Sequence, residues 1–200
     1  MVKVIEFSPN YASLVADLHQ KHLQSNLKNK LGLKMLAIYY ASFSFPKGGA
    51  CFLAVEDYKL LGFICGVWDQ KEIFLNFIKS NPIRIIIFGI PLIFTNINYL
   101  KSIYAKLFNG VFSKKVTINS AFYELRPIVV DPSVRGKGVA DLLVNYLAQD
   151  AVSSGYKEIL LKTEKENTLA QKFYEKYGFL KIKEEVLENR SYLIYRLSID

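Results

Sequence analysis

The sequence predicts a mixed α/β fold, and three observations carry that reading. Short runs rich in Val, Ile, Phe and Tyr alternate with segments of helical spacing, in the order β-α-α-β-β, an insertion, then β-α-β-α-β-β. Gly or Pro stands at most junctions. Near the centre, residues 128–140 read I-V-V-D-P-S-V-R-G-K-G-V-A: a strand ends at an Asp-Pro turn, a glycine loop follows, and a helix begins at Val139. In that arrangement the glycines let the main chain approach a phosphate closely, and the helix N-terminus favours its negative charge.

Val2, Val4 and Phe7 read as the first strand, closed by Ser8-Pro9-Asn10. A helix follows, with Asn10 or Ser8 as cap, Leu14, Val15 and Leu18 at helical spacing, and His19 and His22 at its end. A second helix spans about residues 33–43 and stops before Pro46-Lys47-Gly48-Gly49. Residues 50–56 and 59–68 form a hairpin about Asp57-Tyr58. Ile73, Phe74, Phe77 and Ile78 make a further helical stripe that ends at Asn81-Pro82. Residues 83–97 are strongly apolar but too short to span a bilayer, which needs about 20 apolar residues; with Pro91 inside, they read as a kinked or two-piece helix. Leu100, Ile103, Tyr104 and Leu107 mark one more helix.

Residues 121–130 form the strand before the glycine loop. Pro127 cannot donate to a ladder, so a bulge or a local splaying of strands is expected there. The helix over 138–153 carries Leu142, Leu143, Tyr146 and Leu147 on one side and stops at Gly155. A strand at 158–163, a helix at 168–177 closed by Gly178, and two strands at 179–186 and 191–199 complete the chain.

The 200 residues suit one domain over 1–200, with a basic, apolar helical insertion at 70–120. Of the formal charge of +8, that insertion holds seven basic residues against Glu72 alone. Charge and apolarity together suit an anionic surface, either a membrane or a phosphorylated substrate. Nucleic acid is disfavoured, because the basic residues are not interleaved with aromatics in a recognisable module. Cys51 and Cys65 lie in apolar strands without metal-ligand spacing, so they read as buried free thiols and no metal is expected. The first residues lack the apolar core of a signal peptide, which predicts a cytoplasmic protein.

Two phosphate-binding alternatives fail on particular residues. A dinucleotide fingerprint needs a third glycine that Lys137-Gly138-Val139-Ala140 does not supply in register. A P-loop needs Ser or Thr after Gly-Lys, where this chain has Gly138. What R-G-K-G-V-A at 135–140 resembles is the R/Q-x-x-G-x-G/A signature of the GNAT superfamily of acetyl-CoA-dependent N-acetyltransferases. Its company is present: residues 128–132 resemble the preceding strand and turn, and N-T-L-A-Q-K-F-Y-E-K-Y-G-F at 167–179 matches the family's second motif, N-x-x-A-x-x-F-Y-x-x-x-G-F. The resemblance is close over 121–181, fits in element order over 1–68, and is weak over 70–120.

The resemblance implies a mostly antiparallel central sheet flanked by helices, with acetyl-CoA as donor. It implies that main-chain groups of Ile128, Val129 and Val130 pair with the pantetheine arm as an added strand would. The amides from Arg135 through Gly136, Lys137, Gly138 and Val139 to Ala140 would hold the pyrophosphate, with Arg135 and Lys137 adding charge. Tyr174 matches the general acid that reprotonates the CoA thiolate, and Asn167 the residue that contacts pantetheine and starts its helix; a core aromatic and a simple cap are the plainer readings. Glu124 matches a position where many members place the carboxylate base, against a polar residue on a half-exposed strand. Some members that acetylate protein N-termini carry a glutamate five residues before the motif's Asn, where this chain has Lys162, which weakens that acceptor reading. The expected reaction is direct attack of a primary amine on acetyl-CoA in a ternary complex, the acceptor an amino sugar or other small amine. The competing reading is a CoA-binding or membrane-docking module without turnover. Peripheral membrane contact through 83–97 and pairing of two copies are compatible with the sequence.

Overall fold

The computed structural model describes residues 1–23, 30–87, 122–187 and 190–199. Seven strands form one sheet in the order β1-β2-β3-β4-β5-β7-β6: β1 (Lys3–Glu6), β2 (Gly49–Glu56), β3 (Lys59–Val67), β4 (Tyr123–Val130), β5 (Glu158–Glu164), β6 (Leu180–Leu187) and β7 (Arg190–Ser198). Every neighbouring pair is antiparallel except β4 and β5. The sheet is mixed and mostly antiparallel, as expected.

Helices α1 (Ala12–His22), α2 (Lys30–Ala41) and α3 (Gln70–Ser80) cover one face, burying Val15, Leu36, Ile73 and Phe77 against Phe63 and Leu53. Helices α4 (Val139–Ser153) and α5 (Thr168–Tyr177) cover the other, where Leu143, Leu147, Tyr174 and Phe179 pack on Leu161 and Tyr195. Strand alternation sends neighbouring residues of one strand to opposite cores.

Several local expectations are corrected. Neither Ser8 nor Asn10 caps α1 with its side chain; a 3-10 turn, Pro9–Tyr11, leads into the helix instead. Leu14 is 49 % exposed, because the buried stripe runs through Ala12, Val15, Ala16 and Leu18. On α4 the buried stripe is Val139, Leu143, Val144, Leu147 and Ala151, with Tyr146 exposed. The side chain of Asp69 caps α3, accepting from the amides of Lys71 and Glu72 at 2.9 and 3.1 Å. Ile78 lies outside the buried stripe of that helix. The hairpin turn holds Asp57 and Tyr58 both at positive φ, the type I′ geometry that matches strand twist. Cys51 and Cys65 are buried free thiols, opposite one another across β2 and β3.

Of the insertion, α3 and a helical stretch at 82–87 are described; Ile83, Ile86 and Ile87 are exposed on the latter. The remainder of the 83–97 segment, the helix expected at 100–107 and the first residue of the strand expected at 121 lie outside the described residues. Among the described residues no helix is long and apolar enough to cross a membrane.

Candidate active site

The break expected at Pro127 is present in both forms. Ile64 pairs with Ile128 and Cys65 with Arg126, so Pro127 is passed over as a bulge on β4. On the other side, β4 pairs with β5 only at Tyr123↔Ile159 and Glu124↔Leu160. Beyond that rung the two parallel strands part and leave a gap open towards the C-terminal end of β4.

The edge of that gap is a row of main-chain groups. The Asp131 amide donates to the Leu61 carbonyl at 2.8 Å, so by alternation Asp131 and Val129 serve the ladder to β3. Ile128 and Val130 therefore turn their N–H and C=O groups into the gap. Of the three residues expected to pair with an extended ligand, these two are directed towards it, while Val129 spends its main-chain groups on β3.

At the end of β4, Asp131 accepts from the amide and hydroxyl of Ser133 at 2.9 and 2.6 Å, which sets the turn. Those two bonds hold the Asp131 carboxyl below its ordinary range. The Arg135 and Lys137 amides are used inside the loop, donating to Pro132 and Val134 at 3.3 Å. The amides of Gly136, Gly138, Val139 and Ala140 have no such partner. Gly136 and Gly138 sit at φ +73° and +78°, and a Cβ at either would meet nothing within 4 Å. Among the described residues, the loop thus has four amides without a hydrogen-bond partner at the start of α4, with the exposed Arg135 and Lys137 side chains adding charge. This cradle fits a pyrophosphate, and the gap beside it fits an amide-bearing arm.

Tyr174 and Glu124 lie on opposite faces of the sheet, Tyr174 in the core under α4 and α5 and Glu124 on the other side. Tyr174, on α5, is 7 % exposed and packs edge-on against Phe179 and beside Phe173 and Tyr195. Burial pushes its phenol well above the usual tyrosine range, and its hydroxyl makes no hydrogen bond to another described residue. Asn167 caps α5, accepting from the Ala170 amide at 3.2 Å.

Glu124 is 5 % exposed, so the plainer alternative, a polar residue on a half-exposed strand, does not hold. It sits on the last paired rung before the gap. Its Oε2 accepts from Arg126 Nη2 at 3.0 Å, and the same nitrogen donates to Gln70 Oε1 at 2.6 Å. Burial works against the Arg126 charge, but Glu124 and the hydrogen-bonded Tyr39 outweigh it and raise its pKa. Arg126 thus ties β4 to α2 and α3 and orients the carboxylate. Sequence reading passed over Arg126; its place two residues from Glu124, on the same face of a strand, was the available signal. His19 is not part of this cluster: its Nδ1 lies 2.5 Å from the Tyr40 hydroxyl. No group of three or more metal-ligating side chains occurs among the described residues.

Residues 102–179 match the Acetyltransferase (GNAT) family. No curated protein matches the chain in sequence. Among solved structures, an acetyltransferase of the GNAT family from Streptococcus pneumoniae is 16% identical, with all of both chains covered and a TM-score of 0.61. An aminoglycoside 6'-N-acetyltransferase complexed with coenzyme A is 17% identical over 99% of this chain and 97% of its own, with a TM-score of 0.60. NAA60 from Arabidopsis thaliana, in complex with acetyl-CoA, is 11% identical over 100% and 99%, with a TM-score of 0.61. The match to the GNAT family thus covers residues 102–179, and the fold of the whole chain is that of these acetyltransferase structures.

Proposed function

We propose that the protein transfers an acetyl group from acetyl-CoA to the nitrogen of a small primary amine. The observation that carries the reading is the parting of β4 and β5 after two rungs, directly beside a loop with four unbonded amides. Bound acetyl-CoA supplies the thioester that the amine attacks. Ile128 and Val130 align the pantetheine arm through main-chain hydrogen bonds, and Gly136, Gly138, Val139 and Ala140 hold the pyrophosphate. Glu124, positioned by Arg126, takes the proton that the acceptor must lose to become nucleophilic. Tyr174 holds a proton at its hydroxyl on the far side of the gap and delivers it to the leaving sulfur. The gap joins the two faces, so acid and base work on one reacting centre without touching each other.

The test is binding and turnover together. Acetyl-CoA should raise the thermal stability of the wild type and should be consumed with release of CoA when a panel of amines is supplied. Gly138→Glu, which sets a carboxylate beside the amide cradle, should abolish the stabilisation. If acetyl-CoA leaves the melting temperature of both proteins unchanged, the proposal is wrong.

A further inference from the structure

We propose that the acceptor amine carries an anionic group, a carboxylate or a phosphate a few bonds from its nitrogen, and that Lys162 receives it. The inference deepens the acetyltransfer reading and rests on it. Glu124 pairs with Leu160 on the last rung, and the next residues on that face are Arg126 on β4 and Lys162 on β5, just where the two strands part. Lys162 is half-buried there, and its Nζ lies 4.9 Å from the centre of the Tyr192 ring on β7. Tyr192 belongs to the rung of Glu164 on the strand beyond β5, so the ammonium leans diagonally towards β7 and away from Glu124. Two residues of strand separate the Glu124 rung from Lys162, about 7 Å. A base at one end and an ammonium at the other suit an amine whose charge is carried at some distance from the nitrogen.

Each nearby carboxylate already has its own cation. Glu124 is bound by Arg126 at 3.0 Å, Glu185 by Lys183 at 2.6 Å, and Glu164 by Arg190 at 2.8 Å. Among the described residues, Lys162 has no carboxylate within 4 Å. Burial pulls its pKa below the ordinary lysine range; Glu124 and Glu185 oppose that pull from a distance, and Arg126 adds to it. A half-buried ammonium beside neutralised pairs leaves one positive charge on the Glu124 face of the sheet, a strand away from the gap, and an anion would complete it. The cation over an aromatic ring also argues for a charged anchor rather than for a neutral amine acting as base.

Matched probes separate the sources of the anion. The carboxylate arm compares β-alanine with β-alaninamide; the phosphate arm compares O-phosphoethanolamine with ethanolamine. Affinity for the CoA-loaded protein is measured by calorimetry, and CoA release is followed from acetyl-CoA. Wild type should favour the anionic member at least tenfold in one arm. Lys162→Met should lose that preference while keeping its acetyl-CoA stabilisation, and Lys162→Arg should retain most of it. No preference in either arm, or an undiminished preference in Lys162→Met, overturns the inference and leaves acetyltransfer standing. Failure of the wild type to be stabilised by acetyl-CoA overturns both.

Discussion

Tyr174 combines two roles that a sequence cannot separate. Its ring is part of the aromatic packing with Phe173, Phe179 and Tyr195, while its hydroxyl has no partner among the described residues. Tyr174→Phe keeps the ring and should therefore cost little stability, while kcat falls by about 10²- to 10⁴-fold if the hydroxyl is the acid. A circular-dichroism melt and initial rates of CoA release measure the two effects. The folded state holds this phenolic proton more tightly than the unfolded chain, whose value is 10.0, so its contribution to stability is complete below that pH and declines above it. Lys162 has the opposite sign. Its folded pKa lies below the ordinary 10.5, so burying its charge opposes folding at neutral pH, and the penalty fades as pH rises through the folded value. Lys162→Met should be at least as stable as wild type at pH 7, and the difference should shrink in alkaline melts.

At the scale of the element, β4 organises the site. It is laddered to β5 only at Tyr123 and Glu124; Arg126 lies just beyond that last rung, and from there to Val130 the strand is laddered to β3 alone. Arg126→Met would leave the Glu124 carboxylate buried without its charged partner, with an expected loss of about 3–5 kcal/mol. Adding Glu124→Gln should recover part of that loss, and urea titration of the single and double variants reads the coupling. Hydrogen exchange tests the orientation of the strand. The Val129 amide should be protected without ligand, whereas Ile128 and Val130 should become slow only when acetyl-CoA is bound. On β3, a Cβ at Gly66 would stand 1.8 Å from the Tyr123 ring, whose hydroxyl donates to Asp150 at 2.6 Å. Gly66→Ala must displace that ring, and a loss of about 1–3 kcal/mol is expected in the same titration.

For the whole molecule, two cores on opposite faces of one sheet hold the two strands at a fixed separation, so ligand binding should stabilise the fold as a unit. At a concentration a hundredfold above its Kd, acetyl-CoA should add about 2.7 kcal/mol. For a chain of this size that corresponds to roughly 5–10 °C in Tm. Gly138→Glu should remove this increment even though its side chain meets nothing in the unliganded loop. The size of the increment therefore reports the cradle separately from the packing of either core.

Order and type of the described elements, the bulge at Pro127 and the glycine loop were legible in the chain, because they follow from periodicity, from a missing N–H and from residues within a dozen positions of one another. The two motifs likewise identified Gly138, Asn167 and Tyr174 as residues to examine, since their spacing is local. Helix faces were less legible. Leu14 and Tyr146 fit an apolar stripe by spacing, yet both are exposed, and Ala16 and Val144 are buried in their place. The burial of Glu124, its bond to Arg126, the reach of Gln70 across 56 positions to the same guanidinium and the seating of the Lys162 ammonium over the Tyr192 ring were decided by tertiary structure alone. A sequence specifies which side chains can carry charge, but their partners come from strand register and from helices packed over distant strands, and it is those partners that set how each charge can be used.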